Sequence, residues 1–292
     1  MHDTETIHFI VDSACEGITV QSFLKQHGVS TRLLRSLKRV EGGMTADGVP
    51  VRSIDTLTAG QKVVLHPPPD NVRITGCELE IDVIFEDAHL LVVNKPPYIA
   101  VHPGGEQHTA PTMAAAVVAY YAKNGTPLSF RPAGRLDRNT SGILLAGKNS
   151  HAAHWLNHNV QKEYIAIVTG RLEGDGIIDQ PIRIRDGYGI SREVGEGGKP
   201  SITRWEAINS GDNLSAVRLK LETGRTHQIR VHMAWLGHPL AGDTMYGPED
   251  SETIRLIGRH ALHCSDVRLI HPSTGQELTL SAPLPDDMAA LR

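Results

Sequence analysis

At 292 residues, with 40% hydrophobic and 21% charged residues, the chain is long enough for one small and one large domain, each with its own core. No apolar run approaches the roughly 20 residues that a membrane helix needs, and the acidic start MHDTETIHFIVDSACEG lacks the basic and apolar regions of a secretory signal, so the expectation is a cytoplasmic protein with no membrane partner. The scattered Cys15, Cys77 and Cys264 fit free thiols in a reducing compartment, and a net charge of −4 argues mildly against a nucleic-acid binder.

Local charge reverses that sign, because residues 16–68 hold seven Lys or Arg against four Asp or Glu. Within this stretch, helices are expected over 20–27 and 30–40, broken at Gly28, with Ser30 as the N-cap of the second. Arg32, Arg35 and Arg39 then fall on one face while Leu33, Leu34 and Leu37 turn toward a small core. A merely solvated face is the other reading of those arginines. Gly42-Gly43, Asp47-Gly48 and Gly60 punctuate short strands that end at 62–65. The stiff run Pro67-Pro68-Pro69-Asp70-Asn71 marks a boundary, giving a domain over 1–68, a connector over 69–78 and a second domain over 79–292.

In the second domain, strands are expected over 79–85 and 90–94, a helix over 111–123 closed by Asn124-Gly125, and further strands over 164–169 and 214–222. The Gly-rich stretch 185–199, around Tyr188, reads as a mobile loop and lacks the strand-turn-helix setting of a nucleotide fingerprint. Strands that follow one another with few helices between them indicate an α+β class with a mixed, largely antiparallel sheet.

Three stretches carry chemistry. GRLDRNTSG (134–142) sets a lone carboxylate, Asp137, on a tight turn, although Asp, Asn, Ser and Gly also serve turns for backbone reasons alone. A carboxylate can attack carbon or take a proton, and either role needs it aimed. An arginine beside it would orient it and balance its charge; Arg225, in GRTHQIR, is the candidate. KEYIAIVTG (162–170) offers Tyr164, which could equally be a core tyrosine. The sixteen histidines include two groups, His151, His154 and His158, and His227, His232 and His238 with Asp243. Neither comes with an HExxH signature or a Cys pair, so no metal and no cofactor is expected.

Together the three stretches resemble the RluA-type (RluA/RluD) family of RNA pseudouridine synthases, and VIFEDAHLLVVNKPPYIAVHPG (83–104, with Lys95 and His102) and HALHCSDVRLIHPSTGQELTLSAPLP (260–285) extend the likeness over nearly everything after Leu79. Residues 16–66 resemble the alpha-L RNA-binding fold of the ribosomal protein S-four type, with Asp47 before Gly48 where that fold often has Asn. The resemblance implies a catalytic domain of pseudouridine synthase fold. In it Asp137 acts at the ribose, Arg225 is its basic partner, and Tyr164 stacks on a flipped uracil and later removes a proton. Arg135 fills the gap the base leaves, Thr140 and Gln228 bind substrate, and Arg32, Arg35 and Arg39 hold RNA. It implies action on structured RNA, large-subunit ribosomal RNA before transfer RNA; a monomer is the default expectation. Gly134 stands where many relatives have His, and Tyr98 where Gly is common. A non-catalytic RNA-binding or ribosome-assembly factor is the alternative; an aspartyl-phosphate hydrolase is opposed by Asn139, where that chemistry usually has a second carboxylate.

A basic module on a flexible connector would raise the effective concentration of the RNA at the second domain. Deleting residues 1–68 is then expected to reduce activity on long RNA more than on a minimal hairpin, measured as initial rates on both; equal loss would contradict it.

Overall fold

The computed structural model describes residues 6–68, 72–103, 111–187, 189–248 and 252–291; Pro69, Asp70, Asn71, Gly104 and Tyr188 lie outside them. In the first part, β1 (Ile7–Ile10), β2 (Met44–Ala46), β3 (Val49–Pro50) and β4 (Lys62–Leu65) form an antiparallel sheet of order β1-β4-β2-β3. Two short helices, α1 (Val20–Gln26) and α2 (Thr31–Leu37), pack on it. Thr19 and Ser30 cap them by accepting from Ser22 and Leu33 amides, which satisfies donors the helix cannot. Leu33, Leu34 and Leu37 are buried with Val20, Phe23 and Leu24, as the periodicity requires. Helix α2 is shorter than expected, so Arg32 and Arg35 are exposed on it and Arg39 lies beyond its end.

The second part is built on a ten-stranded sheet. Its members are β5 (Asp82–Glu86), β6 (Leu90–Lys95), β7 (Pro132–Ala133), β8 (Ser141–Gly147), β9 (Val160–Thr169), β10 (Asp175–Asp179), β13 (Ile202–Ser210), β14 (Leu214–Leu221), β15 (Leu262–Ile270) and β16 (Glu277–Ser281). Strands run in the order β10-β13-β14-β9-β15-β8-β6-β5, with β16 and β7 on the flanks. Every pairing is antiparallel except β15 with β8, where Ser141 faces His263 and Gly142 faces Cys264. Strand β8 is buried along its whole length, which is why it reads as a continuous apolar run rather than an alternating one. Gly142 has φ +103, and a Cβ there would run into the Cys264 carbonyl, so the β8–β15 seam closes only over a glycine.

Helices α3 (Met113–Lys123), α4 (Ser150–Leu156), α5 (Gln228–Trp235), α6 (Glu252–Ile257) and α7 (Asp286–Ala289) complete the chain. The stretch 185–199 differs from the loop expected of it. Arg192–Val194 (β12) pairs with Ile182–Ile184 (β11) as a two-stranded hairpin, and the Arg192 amide donates to the Tyr246 hydroxyl.

The two parts are in contact, which corrects the picture of a module swinging on its connector. Val72 and Ile74 pack against the large core, and Gly76 lies so close to Ala119 of α3 that a Cβ would approach at 2.9 Å. Gly28, at φ +73, presses on the Trp155 ring of α4, where a Cβ would come within 2.7 Å. Phe9 meets His151 edge to face at 5.5 Å. His151 is only 3% exposed. Burial, with His154 and His89 as like charges nearby, pushes its imidazole down to about 4. Its folded value lies below the ordinary one, so the unfolded chain takes up a proton first as pH falls. Urea unfolding is therefore expected to show stability falling between about pH 6.5 and pH 4. The His151 share is about 3 kcal/mol, and His151→Gln should flatten that stretch; an unchanged slope in the variant would contradict the assignment.

Candidate active site

The turn between β7 and β8 carries Asp137 at the rim of a pocket of about 450 Å³. Strand β9 brings Tyr164 to its wall, and the approach to α5 brings Arg225, His227, Gln228 and Arg230. Arg135 is exposed at the mouth. All of the candidates in the GRLDRNTSG, KEYIAIVTG and GRTHQIR stretches therefore converge on one cavity, although they are up to 93 positions apart in sequence.

The guanidinium nearest Asp137 is not the expected one. Arg230 Nη1 stands 3.5 Å from Asp137 Oδ2, while Arg225 donates its Nε to the Pro200 carbonyl at 3.1 Å and lines the same pocket from the side. Arg230 is itself clamped by Asp243, which accepts from Nε at 2.7 Å and from Nη2 at 2.8 Å, and its guanidinium lies 4.9 Å from the centre of the Tyr246 ring. Asp243 is 2% exposed and Arg230 is 6% exposed. Although burial opposes both ions, the bidentate pair holds the Asp243 carboxyl below its usual range and the Arg230 guanidinium above its own. Removing either partner strands a buried charge, at a cost of about 3–5 kcal/mol.

His227 is the second neighbour, with Nε2 3.9 Å from Asp137 Oδ2. It opens α5 at φ +59, a left-handed conformation that a non-glycine residue adopts at a cost of about 1–3 kcal/mol. Its Nδ1 is 2.8 Å from the Tyr246 hydroxyl. Burial lowers its pKa, with Asp137 pulling the other way.

The backbone that carries Asp137 is held on all sides. Asn157 accepts from the Gly134 amide. Lys95 is fully buried, and its ammonium donates to the carbonyls of Pro96, Ile99 and Arg138. Burial and the nearby Arg259 push that ammonium down to about 7, while Asp137 works against the fall. Arg259, also buried, donates to the Asn139 carbonyl at 3.0 Å and is paired through Nε and Nη2 with Asp287 of α7. Arg138 in turn donates to the Tyr98 carbonyl. Tyr98 has φ +67, the conformation glycine favours.

Thr140 and Gln228 differ from their expected part as substrate contacts. The Thr140 hydroxyl is 2.9 Å from His260 Nε2 and 2% exposed. Burial, reinforced by the Arg230 charge, pushes His260 down to about 3, so it stays neutral. Gln228 accepts from Thr223 Oγ1 and the Arg225 amide and donates to Ile202 O and Thr203 Oγ1. These bonds use both amide hydrogens and both oxygen lone pairs. Both side chains line the pocket and are held in its wall by these bonds.

Tyr164 is 6% exposed and lies opposite Cys264 across the β9–β15 pairing. Burial pushes its phenol well above the ordinary range. The histidines considered as metal ligands have other partners: His232 contacts Thr203 Oγ1 and Gln180 O, His238 contacts Thr169 O, and His154 meets His158 edge to face at 4.8 Å.

Residues 89–235 match the model of the RNA pseudouridylate synthase family. The uncharacterized RNA pseudouridine synthase YjbO of Bacillus subtilis is 37% identical over 94% of this chain and 98% of its own. The ribosomal large subunit pseudouridine synthase D of Vibrio parahaemolyticus is 36% identical over 80% of this chain and 76% of its own. Among solved structures, human RNA pseudouridylate synthase domain containing 1 superposes with a TM-score of 0.59 at 28% identity, covering 71% of this chain and 85% of that one. The chain belongs to the RluA/RluD-type RNA pseudouridine synthases, isomerases that convert uridine in RNA to pseudouridine.

Proposed function

We propose that this enzyme modifies specific uridines of structured RNA, large-subunit ribosomal RNA before transfer RNA, with Asp137 as the reacting group. The observation that carries this reading is the aimed carboxylate. Asp137 faces a 450 Å³ pocket, a clamped guanidinium lies 3.5 Å away, and an aromatic ring stands on the wall. The name of the Vibrio relative, a ribosomal large subunit pseudouridine synthase, supports the choice of RNA.

In this reading the target uridine leaves its stack and enters the pocket, with Arg135 at the mouth filling the vacated place. Asp137 acts at the ribose, either attacking the anomeric carbon or taking the proton of its neighbour. The bond from ring nitrogen 1 to the ribose breaks, the uracil turns within the pocket, and a bond forms from ring carbon 5. The proton on carbon 5 is lost and nitrogen 1 gains one, so atoms and charge balance without a cofactor. Tyr164, a neutral phenol at working pH by virtue of its raised pKa, is first a flat stacking surface. Removal of the carbon 5 proton at the last step is assigned to its oxygen, which passes the phenolic proton to the Asp137 carboxylate as it takes the carbon 5 proton, so that the neutral phenol is regenerated. Arg230 takes the part expected of Arg225.

The first 68 residues are proposed as an alpha-L RNA-binding module, with Arg32, Arg35 and Arg39 toward the sugar-phosphate backbone. The exposure of all three supports this.

The test is a carbodiimide-based pseudouridine map of total RNA from cells lacking the gene, complemented with the wild type or with Asp137→Asn. One or a few sites are expected to vanish and to return only with the wild type. Identical maps would contradict catalysis and favour the RNA-binding factor.

A further inference from the structure

A second cavity, of about 710 Å³, lies between the two parts of the chain. One wall is α2, with Ser30, Arg32 and Ser36; the floor is Pro67 and Pro68; the other wall is α4 and the strand-end before it, with Arg131, Lys148 and His154. Asn157, whose Oδ1 holds the Gly134 amide at the start of the Asp137 turn, lines both this cleft and the active-site pocket. The two cavities therefore adjoin at one side chain.

The charge of the cleft is opposite to that of the chain. The net charge is −4, yet the lining includes Arg32, Arg131 and Lys148 and, among the described residues, no carboxylate. Lys148 is balanced by Glu86 at 2.6 Å, and Arg131 is held in place by donating to the Ser129 and Lys148 carbonyls. Arg32, from the opposite wall, is exposed. The walls are also fixed relative to each other, because Gly28 abuts Trp155 and Phe9 meets His151 a few residues away. A cleft with cations on both walls, serine hydroxyls beside them and one lining side chain, Asn157, shared with the Asp137 pocket matches a polyanionic strand that continues out of that pocket.

We infer that the cleft between α2 and α4 binds the phosphodiester backbone of the RNA adjoining the target uridine. The strand passes from the Asp137 pocket over Asn157 into the cleft, where Arg32 closes on it from the N-terminal side. The N-terminal part then acts as one wall of a groove that runs into the active site, rather than as a separate grip on distant RNA. The inference rests on reading the Asp137 pocket as the uridine site.

The experiment measures filter binding of a large-subunit ribosomal RNA transcript and of poly(U) as a function of salt, with all variants in an Asp137→Asn background. Arg32→Glu and, on the facing wall, His154→Glu are each expected to weaken binding about tenfold and to lower the salt slope by about 1 or more. Lys25→Glu makes the same charge change as Arg32→Glu on exposed α1 outside the cleft, and is expected to stay within about twofold. Equal weakening by Arg32→Glu and Lys25→Glu, or no weakening by the two cleft variants, would overturn the cleft. In the active background, wild-type protein that forms no pseudouridine would overturn the catalytic reading instead, so the two failures are distinguishable.

Discussion

The site depends on one guanidinium shared by two carboxylates. Arg230 has its Nε and Nη2 committed to the buried Asp243, which leaves Nη1 directed at Asp137. Its orientation is therefore set before substrate arrives. A lysine or a freely rotating arginine could balance the same charge, but neither would present a fixed edge to it. The pair is costly to bury, and it fixes the orientation of the guanidinium toward Asp137.

The same logic extends through the backbone of the turn. The carbonyls of Arg138 and Asn139, directly after Asp137, are each taken by a buried cation, Lys95 and Arg259. The Thr140 hydroxyl is taken by a neutral His260. Strand β8 begins at once, and Gly142 lets it close against β15. A side chain on a loop is usually less well placed than one on a strand or helix. Here the loop is made rigid by polar contacts that reach back to Lys95 of β6, forward to α7 through Arg259 and across to Asn157 at the end of α4, so that Lys95, Arg259 and Asp287, which do not line the pocket, help fix its geometry.

Much of this was legible in the sequence, and the limits were physical. The periodicity of Leu33, Leu34 and Leu37 gave the core of the small sheet-and-helix unit, and the alternation at 214–222 gave β14. Strand β9 was placed but begins at Val160, four residues before the predicted start, because strand ends are decided by partners rather than by propensity. The guanidinium nearest Asp137 lies in the expected segment but is Arg230 rather than Arg225. Arg225 and Arg230 are five residues apart, and only the positive φ of His227, which starts α5 at Gln228, turns the second inward. Asp243 gave a weaker signal, and its weighing among metal ligands concealed an ion-pair role. Thr140 and Gln228 lie in the right motifs, but a motif does not say whether a side chain faces the cavity or braces it. The docking of Gly28 on Trp155 joins residues 127 positions apart and has no local signature at all.

The most direct measurement is the single-turnover rate of pseudouridine formation by folded Arg230→Lys and Arg225→Lys proteins on the same RNA. If Arg230 aims Asp137, the first is about 100-fold slower than wild type, a loss of the size seen when a preorganised charge partner is removed, and the second stays within about threefold. The reverse order would mean that Arg225 moves onto Asp137 when RNA binds and that the Arg230–Asp243 clamp serves the fold alone.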